Sequence, residues 1–250
     1  MFFSDSHLHL QSFGTITEQD LFLEEARRNN ITRFICNGTK QSDWQNVAEI
    51  AARHRDVIPF FGLHPWYAHS ASLDWEDELR NLLIKYPFGI GEIGLDRSRK
   101  MLSIPDSILI QEDVFRRQLA IAVEMSLPTS IHIVKSWNLL LNIFSSTKVP
   151  QSLMFHAFSG SAQVLSKLLN YGAYFSFAYN LLSEERFLTV IKEIPSDRIL
   201  IETDASNITD FHKSAGVTYI FNKIAEVRNE DKETLAASIK ENIKNFLSYR

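Results

Sequence analysis

Cysteine is nearly absent from this chain of 250 residues, because Cys36 is the only one. A single thiol excludes an internal disulfide and suits a reducing compartment, so we expect a cytoplasmic protein. Long apolar runs are also absent, since no stretch approaches the roughly 18 apolar residues of a membrane-spanning helix. The first residues lack the basic segment and the apolar length of a signal peptide, which predicts neither export nor a membrane anchor.

The chain carries no excess of positive charge, with a net charge of −4 and a pI of about 6.1. Proteins that hold duplex nucleic acid on a charged face are usually basic, so we expect any nucleic-acid contact to be local or metal-mediated. No charge block, low-complexity stretch or Pro/Gly-rich linker divides the sequence. Its length is that of one (β/α)8 barrel, about 250 residues, which predicts a single domain over 1–250.

Short apolar runs alternate with segments of helical periodicity. The runs favour Phe, Ile and Val and lack the polar alternation of a half-exposed strand, as is typical of buried parallel strands. They occupy residues 1–4, 32–36, 57–62, 88–93, 129–133, 153–155, 173–177 and 199–201. The helical segments cover 17–29 (with Thr17 as the cap), 42–54, 105–125 and a stretch around 235–246. Eight strands close a barrel, so the pattern predicts an α/β fold, a (β/α)8 TIM barrel, over an open doubly wound sheet.

Side chains that can bind metal follow these runs. They are His7, His9, Glu92, His132, His156 and Asp204. His7 and His9 share one side of an extended segment, because side chains alternate with period two. Active sites of such barrels form at the carboxyl ends of the strands, so we expect the six to converge. His132 alone, between Ile131 and Ile133, would be typical of a buried structural histidine; the prediction depends on the whole set.

Four imidazoles and two carboxylates without a thiolate suit Zn²⁺, Mn²⁺, Fe²⁺ or Ni²⁺ and leave Mg²⁺ open. Six ligands exceed the needs of one catalytic ion, which favours two cations that share a carboxylate. Glu92 is the predicted bridge, because it lies between the two histidine pairs around the barrel. Asp204 is expected to bind one ion and to orient or deprotonate the attacking water. Glu92 and Asp204 are thus the predicted catalytic residues of a hydrolase acting on a phosphate ester or an amide-like bond.

Six motifs occur in a specific order along the chain. They are Asp5-Ser6-His7-Leu8-His9, Gly62-Leu63-His64-Pro65, Gly91-Glu92-Ile93-Gly94-Leu95-Asp96, Ile131-His132, His156-Ala157-Phe158-Ser159-Gly160 and Glu202-Thr203-Asp204-Ala205. Together they resemble the TatD family of metal-dependent deoxyribonucleases. Gln111, Phe115, Gln118 and Pro128 are similar to further positions of that family.

The resemblance implies an amidohydrolase-like TIM barrel with two divalent ions, Mg²⁺, Mn²⁺ or Zn²⁺. One ion would be held by His7, His9, Glu92 and Asp204, and the other by Glu92, His132 and His156. The implied reaction is hydrolysis of DNA phosphodiesters, from the 3′ end of single-stranded or frayed DNA. The resemblance also favours a monomer with no obligate protein partner.

Several positions beside the predicted site depart from the family pattern. Lys135, in Ile133-Val134-Lys135, stands where the family often has Ser-Arg after the histidine, and Arg97 follows Asp96 where aromatic residues are usual. We predict His64, Arg97 and Lys135 as substrate contacts. The alternatives are a loop-fixing role for His64 and a solvated charge run after Asp96. The aromatic residues Trp66, Tyr67 and Trp137 either stack on unpaired bases or pack the rim of the barrel.

Two other functions stay open on the sequence alone. A two-metal hydrolase of another ester or amide, such as an aminoacyl-tRNA deacylase or a small-molecule amidohydrolase, would use the same ligands, because a fold does not fix a substrate. A binding or scaffold protein would keep the barrel without catalysis. The completeness of the ligand set argues against the scaffold.

Overall fold

The structure is a computed structural model that describes residues 1–209 and 216–248. Eight parallel strands form one sheet in chain order. The strands are β1 Phe3–Leu8, β2 Ile31–Asn37, β3 Val57–Phe61, β4 Gly89–Asp96, β5 Thr129–Val134, β6 Leu153–Phe155, β7 Tyr174–Phe177 and β8 Ile199–Ile201. The helices are α1 Ile16–Arg28, α2 Gln41–Arg53, α3 Trp75–Lys85, α4 Arg99–Leu102, α5 Ser107–Glu124, α6 Trp137–Ser146, α7 Ala162–Leu169, α8 Glu185–Glu193, α9 Gly216–Arg228 and α10 Lys232–Leu247. The predicted (β/α)8 barrel is confirmed.

All eight predicted strands are present, and β1 and β4 continue furthest beyond the ends of their apolar runs. β1 continues to Leu8, so His7 lies inside a strand that the sequence analysis ended at Ser4, and β4 continues to Asp96, past the predicted end at Ile93. Every residue of β4 is buried. The polar side chains did not end these strands, because they turn into the mouth of the barrel while their backbones still pair with the neighbouring strands.

The predicted cap of the first helix is wrong by two residues. Thr15, not Thr17, is the N-cap, and its hydroxyl accepts a hydrogen bond from the Glu18 N–H at 3.2 Å. The Glu18 carboxylate in turn accepts the Thr15 N–H at 3.0 Å. This reciprocal pair is a capping box, which needs Glu three residues after the cap and therefore selects Thr15.

The barrel closes between β1 and β8 beyond the end of the last strand. β8 stops at Ile201, and the closing backbone hydrogen bonds come from the segment after it. The Asp204 N–H donates to the His7 carbonyl at 3.0 Å, and the His9 N–H donates to the Ala205 carbonyl at 2.8 Å. Closure thus places Asp204 directly beside the two histidines of β1.

A buried carboxylate on β1 stabilises the seam, which is the junction between β1 and the segment after β8. Asp5 accepts hydrogen bonds from the Thr203 N–H at 3.0 Å and from the Thr203 hydroxyl at 2.6 Å. The Ser6 hydroxyl donates to the Ile201 carbonyl at 3.0 Å. Burial raises the pKa of the Asp5 carboxyl to about 7, although the two Thr203 donors favour its charged form. Asp5 and Ser6 thus fix the segment that carries Asp204.

Two glutamines of α5 fix the ends of β3 and β4. The Gln118 amide accepts the Leu63 N–H at 2.7 Å and donates to the Leu63 carbonyl at 3.1 Å. Gln111 makes the same pair of bonds with the backbone of Asp96, at 2.7 and 3.1 Å. Residues seven apart lie on one face of a helix, so a single helix holds both strand ends. Both glutamines are buried.

We expect Gln118→Leu to lower the free energy of unfolding by about 2–4 kcal/mol, because it leaves the buried N–H and carbonyl of Leu63 without partners. Urea unfolding followed by circular dichroism measures this. The matched control is Gln45→Leu on the exposed side of α2, where we expect a change within about 0.5 kcal/mol. Equal effects of the two substitutions would contradict the role assigned to Gln118.

Among residues 1–209 and 216–248, every helix is too short or too polar to span a lipid bilayer.

Candidate metal centre

The first ligand cluster joins β1, β4 and the segment after β8. His7 Nε2 lies 3.2 Å from His9 Nε2 and 3.4 Å from Glu92 Oε2. His9 Nε2 lies 3.3 Å from the same Glu92 oxygen and 3.5 Å from Asp204 Oδ1. Four side chains therefore direct one potential ligand atom each towards a common point.

The second cluster joins β4 to the ends of β5 and β6. His132 Nδ1 lies 2.9 Å from Glu92 Oε1, and His156 Nε2 lies 2.7 Å from the same oxygen. The two histidine nitrogens are 3.0 Å apart. The rings of His7 and His156 stack with their centroids 4.0 Å apart, so the two clusters are direct neighbours.

Glu92 links the two clusters, because Oε2 faces His7 and His9 while Oε1 faces His132 and His156. Burial opposes the ionisation of Glu92, but the surrounding imidazoles hold its pKa well below its usual range. β4 can approach β5 closely here because Gly94 has φ +154°, and a Cβ on it would lie 1.9 Å from the His132 carbonyl oxygen. Only glycine fits that position.

The other nitrogen of each imidazole faces a polar group. The His9 Nδ1–H donates to the Asn37 carbonyl at 2.8 Å, and His7 Nδ1 lies 2.9 Å from the Ser130 hydroxyl. His132 Nε2 faces the Asp96 carboxylate at 3.4 Å. His156 Nδ1 faces the Glu202 carboxylate at 3.5 Å. Such outer partners fix the ring orientation of metal-binding histidines. The sequence analysis did not identify Ser130, the Asn37 carbonyl or Glu202 as such partners.

Glu202 is fully buried and holds more than one group. It accepts the Ala157 N–H at 2.7 Å and a hydrogen bond from the Ser176 hydroxyl. Burial disfavours charge on His156, but Glu92 and Glu202 raise its pKa well above the ordinary value. Glu202 thus ties His156 to β7 and to the segment after β8.

The donor set fits divalent cations. Ligand atoms around a shared ion at 2.0–2.2 Å lie ~2.9 Å apart in an octahedron and ~3.4 Å apart in a tetrahedron. The contacts of 2.7–3.5 Å in the two clusters agree with these separations. In a neutral His9 ring, the proton would stay on Nδ1 for the Asn37 carbonyl and the Nε2 lone pair would face the cluster. Burial opposes a charge on His9, but the carboxylates of Asp204 and Glu92 raise its pKa to about 10, because their negative charge stabilises a positive one.

His64, predicted as a substrate contact, lies beside the second cluster. Its Nδ1 accepts the Trp66 N–H at 3.1 Å, so a neutral ring carries its proton on Nε2. Burial lowers the pKa of His64 to about 4, which keeps the ring neutral near pH 7. The Nε2 atom lies 3.4 Å from Glu92 Oε1. With Nδ1 accepting the Trp66 N–H, the neutral His64 ring presents an Nε2–H donor to the cavity, close to Glu92 and His132.

An open cavity of about 260 Å³ lies above the two clusters. Its walls include His9, His64, Trp66, Tyr67, Glu92, His132, His156 and Asp204. Trp137 instead packs against Phe155 and Phe158, with ring centroids 6.0 and 5.2 Å away. Arg97 and Lys135 follow β4 and β5 at this end of the barrel, but both are exposed and lie outside the cavity wall. Their role as substrate contacts stays a prediction.

The amino-acid sequence is similar to those of known protein families. The sequence profile of the family described as TatD related DNase matches residues 4–248. The chain belongs to this family. A similar relative from Bacillus subtilis (strain 168), named an uncharacterized metal-dependent hydrolase, YabD, is 29% identical over 255 residues, which cover 97% of each protein. A relative from Dickeya dadantii (strain 3937), named 3′-5′ ssDNA/RNA exonuclease TatD, is 27% identical over 97% of this chain and 96% of its own length.

Solved structures agree with the TatD fold. A TatD homologue from Escherichia coli K12, YJJV, superposes with a TM-score of 0.87 at 21% identity, over 99% of this chain and 98% of that one. The chain is therefore a TatD-type, metal-dependent hydrolase of phosphoester bonds. The comparisons and the clustered histidines and carboxylates support the use of divalent metal.

Proposed function

We propose that this protein is a two-metal nuclease that removes nucleotides from the 3′ end of single-stranded or frayed DNA. The proposal rests on Glu92, because each of its two carboxylate oxygens faces a different histidine cluster. A carboxylate shared in this way is the usual bridge of a two-metal site. The name of the Dickeya relative supports the polarity and the single-stranded substrate.

In the proposed centre, His7, His9, Glu92 and Asp204 would hold one ion, and Glu92, His132 and His156 would hold the other. Bound divalent cations would supply Lewis acidity, which lowers the pKa of water and neutralises charge on a phosphoryl group. Mg²⁺, Mn²⁺ and Zn²⁺ are the candidate ions. The ligand atoms that converge here are imidazole nitrogens and carboxylate oxygens, including Glu202 beside His156, and this set does not decide among the three ions.

Two side chains of the cavity would act on the substrate directly. Asp204 lines the cavity. Burial alone would raise the pKa of its carboxyl, but His9 and the neighbouring imidazoles lower it, so Asp204 is ionised at neutral pH. We assign its carboxylate to orient the attacking water and accept its proton. The Nε2–H of His64 would donate a hydrogen bond to a phosphoryl oxygen, which stabilises the charge that develops there.

The size of the cavity favours chain ends over intact duplex. A volume of about 260 Å³ lies near the lower limit of small-ligand sites, which start at about 300 Å³. A net charge of −4 provides no broad basic face for a duplex. A terminal nucleotide with its phosphodiester is a substrate that such a cavity and such a surface can accept.

The test is degradation of a single-stranded DNA, labelled at either end, by metal-stripped protein to which Mg²⁺, Mn²⁺ or Zn²⁺ is returned. We expect stepwise shortening of the 5′-labelled strand and immediate release of the label from the 3′-labelled strand, in the presence of metal only. An aminoacyl-tRNA ester and a small amide serve as competing substrates. Hydrolysis of either of these while the DNA stays intact would replace the nuclease by the deacylase or amidohydrolase alternative.

We expect Glu202→Gln to weaken divalent-metal binding about 10- to 100-fold, because the His156 ring loses the carboxylate that orients it. Calorimetric titration with Mn²⁺ measures the affinity. Glu193→Gln, at an exposed position of α8, is the matched control and should bind as the wild type does. If the two variants bind metal equally well, Glu202 does not position His156.

A further inference from the structure

We propose that Trp66 is a stacking platform for the unpaired base of the terminal nucleotide, with Tyr67 beside it and Lys100 as a phosphate contact. The inference rests on the proposed nuclease function, because it names how the same cavity would recognise its substrate. A base is a planar, mostly apolar ring system, and aromatic side chains bind unpaired bases without regard to sequence.

The exposure of Trp66 is the first observation. The chain has four tryptophans. Trp44 and Trp75 are buried in the core, and Trp137 packs against phenylalanines, whereas Trp66 is 39% exposed. Both Trp66 and Tyr67 line the wall of the cavity that contains Glu92. Trp66 thus presents part of a large apolar ring to the cavity beside the metal-binding side chains.

The Trp66 ring is also fixed in place before any substrate arrives. Its indole Nε1–H donates to Asp96 Oδ2 at 2.5 Å, and its backbone N–H donates to His64 Nδ1 at 3.1 Å. The ring meets the His64 ring edge to face, with centroids 5.0 Å apart. A preorganised ring loses little freedom when a ligand stacks on it. Since Asp96 and His64 both adjoin the second cluster, the platform lies at a defined position relative to the metal ligands.

Cations accompany both aromatic rings. Lys100 Nζ lies 4.6 Å from the centroid of the Trp66 ring, and Lys40 Nζ lies 5.4 Å from that of Tyr67. Both lysines are exposed, so a stacking base can displace the Lys100 side chain from the Trp66 ring. The displaced ammonium then stays within reach of the phosphate that joins the stacked nucleotide to the next one. An aromatic ring with an adjacent cation provides the two contacts that single-stranded nucleic acid needs.

The experiment compares two single-stranded oligonucleotides that differ only at the 3′-terminal residue, which is either a normal nucleotide or an abasic one. We would measure kcat and KM on both oligonucleotides for the wild type, Trp66→Leu and Trp66→Phe. The equilibrium affinity for each oligonucleotide would be measured with Ca²⁺ as the divalent ion. We expect Trp66→Leu to lose about 5- to 150-fold in affinity for the normal strand and only a few-fold for the abasic strand. Trp66→Phe keeps a ring but loses the indole N–H, so it should preserve most of the preference for the normal strand.

The alternative role for Trp66 is to hold Asp96, and through it His132. In that case Trp66→Leu and Trp66→Phe would lose activity alike, and equally on both strands, which would overturn the platform. Failure of the nuclease proposal gives a different result, because the wild type would then cleave neither strand. The affinities still decide in that event: a preference for the normal strand that Trp66→Leu abolishes supports the platform, and equal affinities overturn it.

The salt dependence of binding tests the part assigned to Lys100. Each phosphate contact on a single strand contributes about −0.7 to the slope of log affinity against log salt concentration. We expect Lys100→Met to reduce that slope by about this amount. Lys148→Met is the matched control, because Lys148 precedes β6 and lies at the opposite end of the barrel. Equal slopes for Lys100→Met and the wild type would exclude the phosphate contact.

Discussion

Glu92→Gln is expected to lower metal-dependent hydrolysis by at least about 10³-fold and to reduce the number of divalent ions bound. The two oxygens of Glu92 face different histidine clusters, at 3.3 Å from His9 and 2.7 Å from His156. An amide offers one neutral oxygen, and its NH₂ group would face the other cluster. Both proposed ion sites are therefore damaged by one isosteric change. Initial rates on labelled DNA, with metal content by mass spectrometry, measure the effect.

Comparison with two further variants separates the bridge from general damage. His132→Ala removes a ligand of the second cluster alone, so we expect it to retain an ion at the first cluster while losing activity. Glu49→Gln, on the exposed side of α2, should retain both the wild-type rate and the wild-type metal content. A Glu92→Gln protein that keeps two ions and full activity would refute the mechanism.

Asp5→Ala is expected to lower the free energy of unfolding by about 3–5 kcal/mol. The substitution leaves the Thr203 N–H and hydroxyl without their acceptor in a site that is fully buried. Urea unfolding of the metal-stripped protein gives the value free of any contribution from bound ions. The neighbouring Ser6→Ala removes a single neutral hydrogen bond and should cost about 1 kcal/mol. A loss for Asp5→Ala no larger than that for Ser6→Ala would show that the seam does not depend on the carboxylate.

The sequence predicted the barrel and the convergence of the ligands for one physical reason. Buried parallel strands produce short apolar runs, and residues at their carboxyl ends meet at one rim. His7, Glu92 and His132, far apart in the chain, were therefore placed together without coordinates. The sequence analysis ended β1 and β4 before Leu8 and Asp96, because a polar residue interrupts an apolar run without ending the strand.

The supporting contacts of the site were beyond the sequence. Ser130 lies beside His7 only through the pairing of β1 with distant strands, and the Asn37 carbonyl has no side-chain signature at all. Glu202 stood within a recognised motif, yet its direction towards His156 depends on how the chain turns after β8. The lysine and arginine predicted as substrate contacts are exposed, where side-chain positions are set by solvent and ligand, not by packing.

The closure of the barrel has a thermodynamic consequence. Asp5 and Thr203 are 198 residues apart, and Asp204 meets His7 and His9 at this same junction. A cation bound by these three side chains would cross-link β1 to the segment after β8 in the folded state and not in the unfolded chain. Folding and metal binding would then be one linked equilibrium, and the melting temperature would rise with the logarithm of the metal concentration above the dissociation constant. The supply of metal would set the lifetime of the protein as well as its activity.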